Sequence, residues 1–372
     1  MSEIININFD FNNENNKPAE KPVIHLNADS KFNNAPKETY HKVMSKFAQF
    51  GCMPRKGMFD GLGHDLTQCD SYEQAMSEAD LNYTGEKKPI YLGNGNVIPD
   101  NFAVVKSDDE NAVLGIVGNQ YQTIGNMEAF SVAGEIVNEG HARYELGGPC
   151  LGAKDHLDYS KTFLVLRGDD FEIAGDNYES FVVFNNSFDG SGGIKYQVIC
   201  QRLVCLNGMV RYLGGKKNQL QINIQHTKSA GDRIKQAQEI VMERKRAILL
   251  MQKEAQAFIN TPMTRAEYEQ KIIPLILKNM KLVENNKDRE RGQERIDRTV
   301  SQLIQAYNAA DVQNFAGSAW QILLALSDFE THAEPLRNTG NKSVYLNRIS
   351  KGMLLTSAAA EYIADQKNLV IL

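Results

Sequence analysis

The residues with the clearest chemical potential lie in one stretch, Phe181 to Met209, reading FVVFNNSFDGSGGIKYQVICQRLVCLNGM. Two β-rich runs, Phe181–Phe184 and Ile194–Cys205, flank the cluster Asn185-Asn186-Ser187-Phe188-Asp189-Gly190-Ser191-Gly192-Gly193. Asp-Gly and Gly-Gly supply the positive-φ positions of a tight reversal, so a β-hairpin is expected. A Ser/Gly/Asn loop offers backbone N–H groups and hydroxyls, the donors that phosphate oxygens accept. No Asp or Glu occurs between Asp189 and Asp232, whereas Lys195, Arg202, Arg211, Lys216, Lys217 and Lys228 all fall there. The chemistry this predicts is binding of a polyanionic backbone, held by Asn186, Ser187, Ser191, Lys195, Arg202, Arg211, Lys216 and Lys217. Gln197 and Gln201 track alongside, and Tyr196 or Tyr212 stacks on a base. The plain alternative is a hairpin turn whose basic neighbours are merely solvated.

Catalytic motifs are missing from the sequence. There is no G-x-x-x-x-G-K-[ST] loop, and Gly214-Gly215-Lys216-Lys217 reads as a basic turn. No G-x-S-x-G, H-E-x-x-H or G-x-G-x-x-G occurs. His64-Asp65 stands alone, without the converging ligands that metal hydrolysis needs. Cys200 and Cys205 lie in an apolar β-run and read as small buried hydrophobes. The expectation is therefore binding rather than catalysis, with neither cofactor nor metal. An enzyme using Asp189, Ser191 and Lys195 on a nucleotide-like substrate ranks last.

Around this turn, the 372 residues suffice for a sizeable core, and the composition is that of a globular protein. A net charge of −5 makes any nucleic-acid surface a local one. Five cysteines, without C-x-x-C spacing, argue against a disulfide framework and point to a reducing cytoplasm. No apolar run is long enough for a membrane, and the N-terminus lacks the order of a signal peptide.

The hydrophobic pattern predicts an α+β fold: an antiparallel, hairpin-rich core followed by a mainly helical C-terminal part. Residues 1–36 read as a flexible Asn-rich arm, 37–226 as the α+β core and 227–372 as the helical region. Thr39–Phe50 reads as a helix, and Ser71 opens another, with Gln74 at the capping-box offset. Hairpins are expected around Gly93–Asn96 and around Ser107–Asn111. Asn126 is expected to cap a helix running to Gly140, with Met127, Phe130, Ala133 and Val137 as its apolar stripe. Thr162–Arg167, Phe171–Ile173 and Leu220–Ile224 read as strands. Asp232–Ile259 reads as a long helix stopped at Thr261-Pro262, and Thr264 with Glu267 restarts a helix. Lys278–Arg298 reads as a solvated charged face, and Ala316–Leu326 and Gly352–Ala364 as further helices.

Five pieces of this chain resemble the phage/plasmid-like protein family, a domain of unknown function common on phages and plasmids. They are Gly61-Leu62-Gly63; Phe102 to Asp108; Leu114 to Gly118 with Tyr121 and Asn126 to Phe130; Asn186 to Ser191 with Arg202 to Asn207; and His226-Thr227 with Ala319-Trp320. Phe59-Asp60 and Ser187-Phe188-Asp189 depart from the family's usual aromatic-His and Ser-His-Asp, which argues against acid–base chemistry at either place. The resemblance implies a mobile-element setting in a bacterial cytoplasm, where many such proteins handle DNA. In outline, a hairpin core with a following helix and a basic groove is similar to phage single-strand annealing proteins.

The expected function is therefore non-catalytic, single-stranded nucleic-acid binding in replication or recombination, with self-association through the helical part and no membrane partner. The alternative is a protein-interaction or host-modulating module. It would act through the alternating segment Ile5–Phe11 and the apolar end Leu369–Leu372.

Overall fold

A computed structural model describes residues 62–151, 157–202, 207–209, 221–235, 244–280, 289–333 and 354–369. The expected N-terminal arm, the expected helix over Thr39–Phe50 and residues 370–372 lie outside them.

Two antiparallel sheets carry the first half. The larger runs in the order β1 (His64–Asp65), β5 (Arg143–Leu151), β6 (Leu157–Ile173), β7 (Asp176–Ser187), β8 (Ile194–Arg202), β10 (Gln221–Ile224), with β9 (Asn207–Met209) also on β8. The smaller is a meander of β2 (Gly85–Tyr91), β3 (Val97–Lys106) and β4 (Asp109–Gly118). Thr162–Arg167 and Phe171–Ile173 are one strand, β6, joined through an irregularity between Arg167 and Asp170. Ala174 and Gly175 make the reversal into β7, both at positive φ, as a two-residue hairpin demands.

Side chains alternate across a strand, so odd and even positions of β6–β8 build different cores. Leu164, Leu166, Val182, Phe184, Ile194 and Tyr196 face α1 (Tyr72–Glu78) and the pair α2 (Asn126–Ala129) and α3 (Ser131–Asn138). Phe163, Val165, Phe181, Val183 and Ile199 form a separate cluster with Leu62 and Cys150 on the other face. Ser71 caps α1 by accepting from the Gln74 amide, as its sequence predicts. Asn126 behaves differently from expectation. Gly125 is the cap, the helix breaks at Phe130, and the Asn126 side chain is buried in the core.

The C-terminal part is helical. It comprises α4 (Arg244–Ile259), α5 (Arg265–Glu267) passing through a π turn into α6 (Ile273–Asn279), α7 (Arg289–Tyr307), α8 (Ala319–Asp328) and α9 (Leu354–Lys367). Thr264 and Glu267 form the expected capping box. Trp320 and most of α8 are buried at the centre, where Phe171, Tyr178 and Cys200 join them from the sheet. The helices thus pack on the far end of β6–β8. No helix among the described residues is long and apolar enough to cross a membrane.

Candidate nucleic-acid interface at the 185–193 turn

The β7–β8 turn is organised by one carboxylate. Asp189 Oδ1 accepts from the Ser187 hydroxyl at 2.6 Å and from the Ser191 amide at 2.9 Å, while Oδ2 pairs with Lys161 Nζ at 3.1 Å. Burial opposes its ionisation, but these donors outweigh burial and hold the carboxyl below its usual pKa. Asp189 is thus a charged brace for the turn. Its oxygens are already engaged, which leaves it poorly placed to act as a base.

Residues far apart in sequence converge on this brace. A Cβ on Gly115 of β4 would collide with the Asp189 backbone, so the small sheet sits directly against the turn. Phe188 fills the apolar space between them with Tyr83, Val104, Leu114 and Val117. The Tyr121 hydroxyl donates to the Ser187 carbonyl at 2.9 Å, and its ring stacks on His226 with centroids 4.7 Å apart. His226 Nδ1 lies 3.1 Å from the Gln122 carbonyl, so that nitrogen carries the proton. Burial keeps the ring's pKa below the usual histidine value, and Nε2 is buried without a hydrogen-bond partner among the described residues. Lys87 holds the loop carrying Tyr121 by donating to the carbonyls of Gly118, Asn119 and Tyr121. Behind the turn, Asn186 donates to the Ile124 carbonyl and to Asn126 Oδ1, which also accepts from Thr162.

The predicted binding residues separate by the face of the sheet they occupy. Asn186, Tyr196 and Arg202 point into the core and are buried, which corrects their assignment to a nucleic-acid surface. The Tyr196 hydroxyl donates to the Ala129 carbonyl at 2.6 Å, its ring meets Phe184, and burial raises its pKa. It has no face to offer a base. Arg202 binds Asp176 through Nε at 2.7 Å, and Asp311 through Nη1 at 3.1 Å and through the backbone carbonyl at 2.7 Å. This arginine ties the sheet to the 3₁₀ turn Ala310–Phe315, because a buried guanidinium needs both carboxylates. Gln197 and Gln201 are buried as well, on the odd face. Cys200 is buried, and burial raises its thiol pKa, consistent with a packed hydrophobe.

Ser187 and Lys195 lie on the opposite face from Tyr196. Ser187 is nearly covered and serves Asp189, Ser191 is exposed, and Lys195 is half-buried. Arg211, Lys216, Lys217 and Tyr212 lie outside the described residues. Register adds side chains that linear reading misses. Phe163, Asn185, Lys195 and Asn223 stand side by side across β6, β7, β8 and β10, and Lys161 pairs with Ser187 in the adjoining row. Lys161 comes from outside the acid-free window, so only the sheet register could find it. The result is a corner bearing Lys161, Ser191, Lys195 and Asn223, with the Asn185 amide nitrogen buried beneath them and Asp189 braced inside it.

In this antiparallel α+β fold, β4, the Tyr121 loop and His226 gather at the β7–β8 turn, which defines a class of protein before it defines an activity. This chain belongs to the family described as domain of unknown function (DUF932), whose sequence profile matches residues 113–350. That span opens inside β4 and takes in the large sheet from β5 onward, the turn and His226. No curated protein and no solved structure matches the chain.

Proposed function

We propose that this protein binds nucleic acid without catalysis, taking the sugar-phosphate backbone of a single strand at the corner of the 185–193 turn. The supporting observation is the pair Lys195 and Asn223 beside Lys161 and the Ser/Gly turn, where cationic and amide groups share one sheet face. Lysine and amide side chains contact phosphate and sugar, which carry no sequence information, so binding is salt-dependent and nearly sequence-independent. With Tyr196 buried, base stacking by that ring drops out of the mechanism. A single strand can bend its phosphates into such a corner more readily than a stiff duplex. The resemblance to phage and plasmid proteins supports a role in replication or recombination of a mobile element in a bacterial cytoplasm.

Fluorescence anisotropy with labelled single-stranded DNA tests this. The wild-type chain binds at micromolar protein and weakens as salt rises. Lys161→Ala combined with Lys195→Ala lowers affinity by about tenfold and reduces the salt slope by roughly one to two. Absence of binding, or an unchanged slope in the double variant, removes the corner as the site. A protein-interaction reading is favoured by a different observation, the bare hairpin tip with Tyr91, Leu92 and Val97 exposed.

A further inference from the structure

The two edges of the small sheet are built differently. β2 reads Gly85-Glu86-Lys87-Lys88-Pro89-Ile90-Tyr91, with the charges and proline that deter a second strand from adding. From Asn111 to Gln120, covering most of β4, there is neither a charge nor a proline. Among the described residues β4 pairs with β3 alone, so its outer edge carries no strand. Opposite Val104 and Val105 stand Gly115 and Val113, which leaves Leu114 as an inserted residue. That insertion puts Leu114 and Val117 together on the inner side with Phe188. Val113 and Ile116 are left bare, 60% and 62% exposed. An uncharged edge strand with two bare β-branched side chains is a template for pairing.

We propose that β4 is a self-association edge, at which two copies pair their β4 strands antiparallel about a two-fold axis. The occupant follows from charge. Asp109 and Glu110 begin the strand, Glu110 already paired with Lys88 of β2 at 3.0 Å and Asp109 left as the acidic charge of that end, and at the other end the Lys87 ammonium sits on the carbonyls of Gly118, Asn119 and Tyr121 at 3.3, 2.9 and 3.1 Å. Antiparallel self-pairing sets the acidic end of each copy against the cationic end of the other, and it does so twice. Parallel pairing would bring like ends together. The uncharged middle contributes no repulsion, and Val113 and Ile116 of each copy cover their counterparts. Such an isologous contact closes as a dimer, with a continuous six-stranded sheet.

Sedimentation velocity on the full chain at micromolar concentration tests the proposal. A dimer is expected for the wild type. Val113→Lys and Ile116→Lys, both at exposed positions, each raise its dissociation constant at least about tenfold. Tyr91→Lys, on the guarded strand, leaves the dimer intact. Hydrogen exchange on the unmodified chain probes the same edge without mutation, since amides of 113–118 gain protection as the dimer forms. A monomeric wild type, a dimer indifferent to both lysine variants, dissociation by Tyr91→Lys instead, or concentration-independent protection of β4 each overturns the proposal.

Discussion

Lys195 and Arg202 lie on the same strand, inside the same acid-free window, and meet opposite fates. Lys195 stands half-exposed beside Asn185 and Asn223 at the turn end of β8. Arg202 closes the other end, buried between Asp176 and Asp311 with its guanidinium 5.9 Å from the Phe315 ring. One position is odd and the other even. Basic residues in a strand therefore cannot be pooled into a patch by counting them. The strand's two-residue period assigns each to a face first, and only then does charge have a meaning.

The sharpest way to break that contrast is to remove each cation in turn. Arg202→Ala strands two carboxylates in a low-dielectric site and is expected to cost about 3–5 kcal/mol of stability. Arg202→Met, which keeps the volume, costs less, and Lys195→Ala, at a partly exposed position, costs at most about 1 kcal/mol. Urea denaturation reads all three, and comparable losses for Arg202→Ala and Lys195→Ala would erase the distinction.

A smaller effect tests the even face near the turn. Asn126 Oδ1 accepts from Thr162 at 2.9 Å and from Asn186 at 3.0 Å, and its amide reaches the Leu81 carbonyl. Asn126→Ala leaves those buried groups unpaired and is expected to cost roughly 1–3 kcal/mol. At a temperature where the variant stays folded, its affinity for single-stranded DNA remains that of the wild type. A loss of affinity without a loss of stability would place Asn126 in the interface.

An effect of similar size, read through pH, concerns the odd face at its far end, where Glu179 pairs with Arg167 at 2.6 Å. Burial outweighs that partner and pushes the Glu179 pKa up to about 7, from an ordinary 4.5. The folded chain therefore holds this proton more tightly than the unfolded one. The stabilising contribution is complete below the ordinary value and is lost as pH rises through about 7. Stability at pH 8 relative to pH 5 should fall by roughly 2 kcal/mol more in the wild type than in Glu179→Gln. Equal pH dependence in the two would show that Glu179 titrates normally.

Much of the architecture is legible in the sequence because it rests on local signals. The Ser71 and Thr264 caps, the hairpin turns and the change from strands to helices follow from turn chemistry and periodicity. The site is half legible. The turn stands out by composition, and the family resemblance names the segments that gather around it. Asn126 resembles a cap in sequence, yet its side chain answers to Leu81, Thr162 and Asn186, none of which is near in the chain. Lys161 is invisible there because its place depends on pairing with Ser187. Tyr196 and Arg202 join the basic window by charge and composition, although parity places them on the opposite face from Lys195. Both faces of β8 are covered over most of its length, Ile194 and Cys200 on one and Ile199 on the other, so the exposure of Lys195 comes from its place at the turn end of the strand.

Gly115 and the Asp189 backbone touch with no room for a methyl group between them. That contact bears on the order of assembly. The β7–β8 hairpin can zip early from neighbouring residues, but its turn reaches final form only when a strand more than seventy positions upstream has docked against it. The corner thus depends for its shape on a part of the protein that lends it no binding side chain.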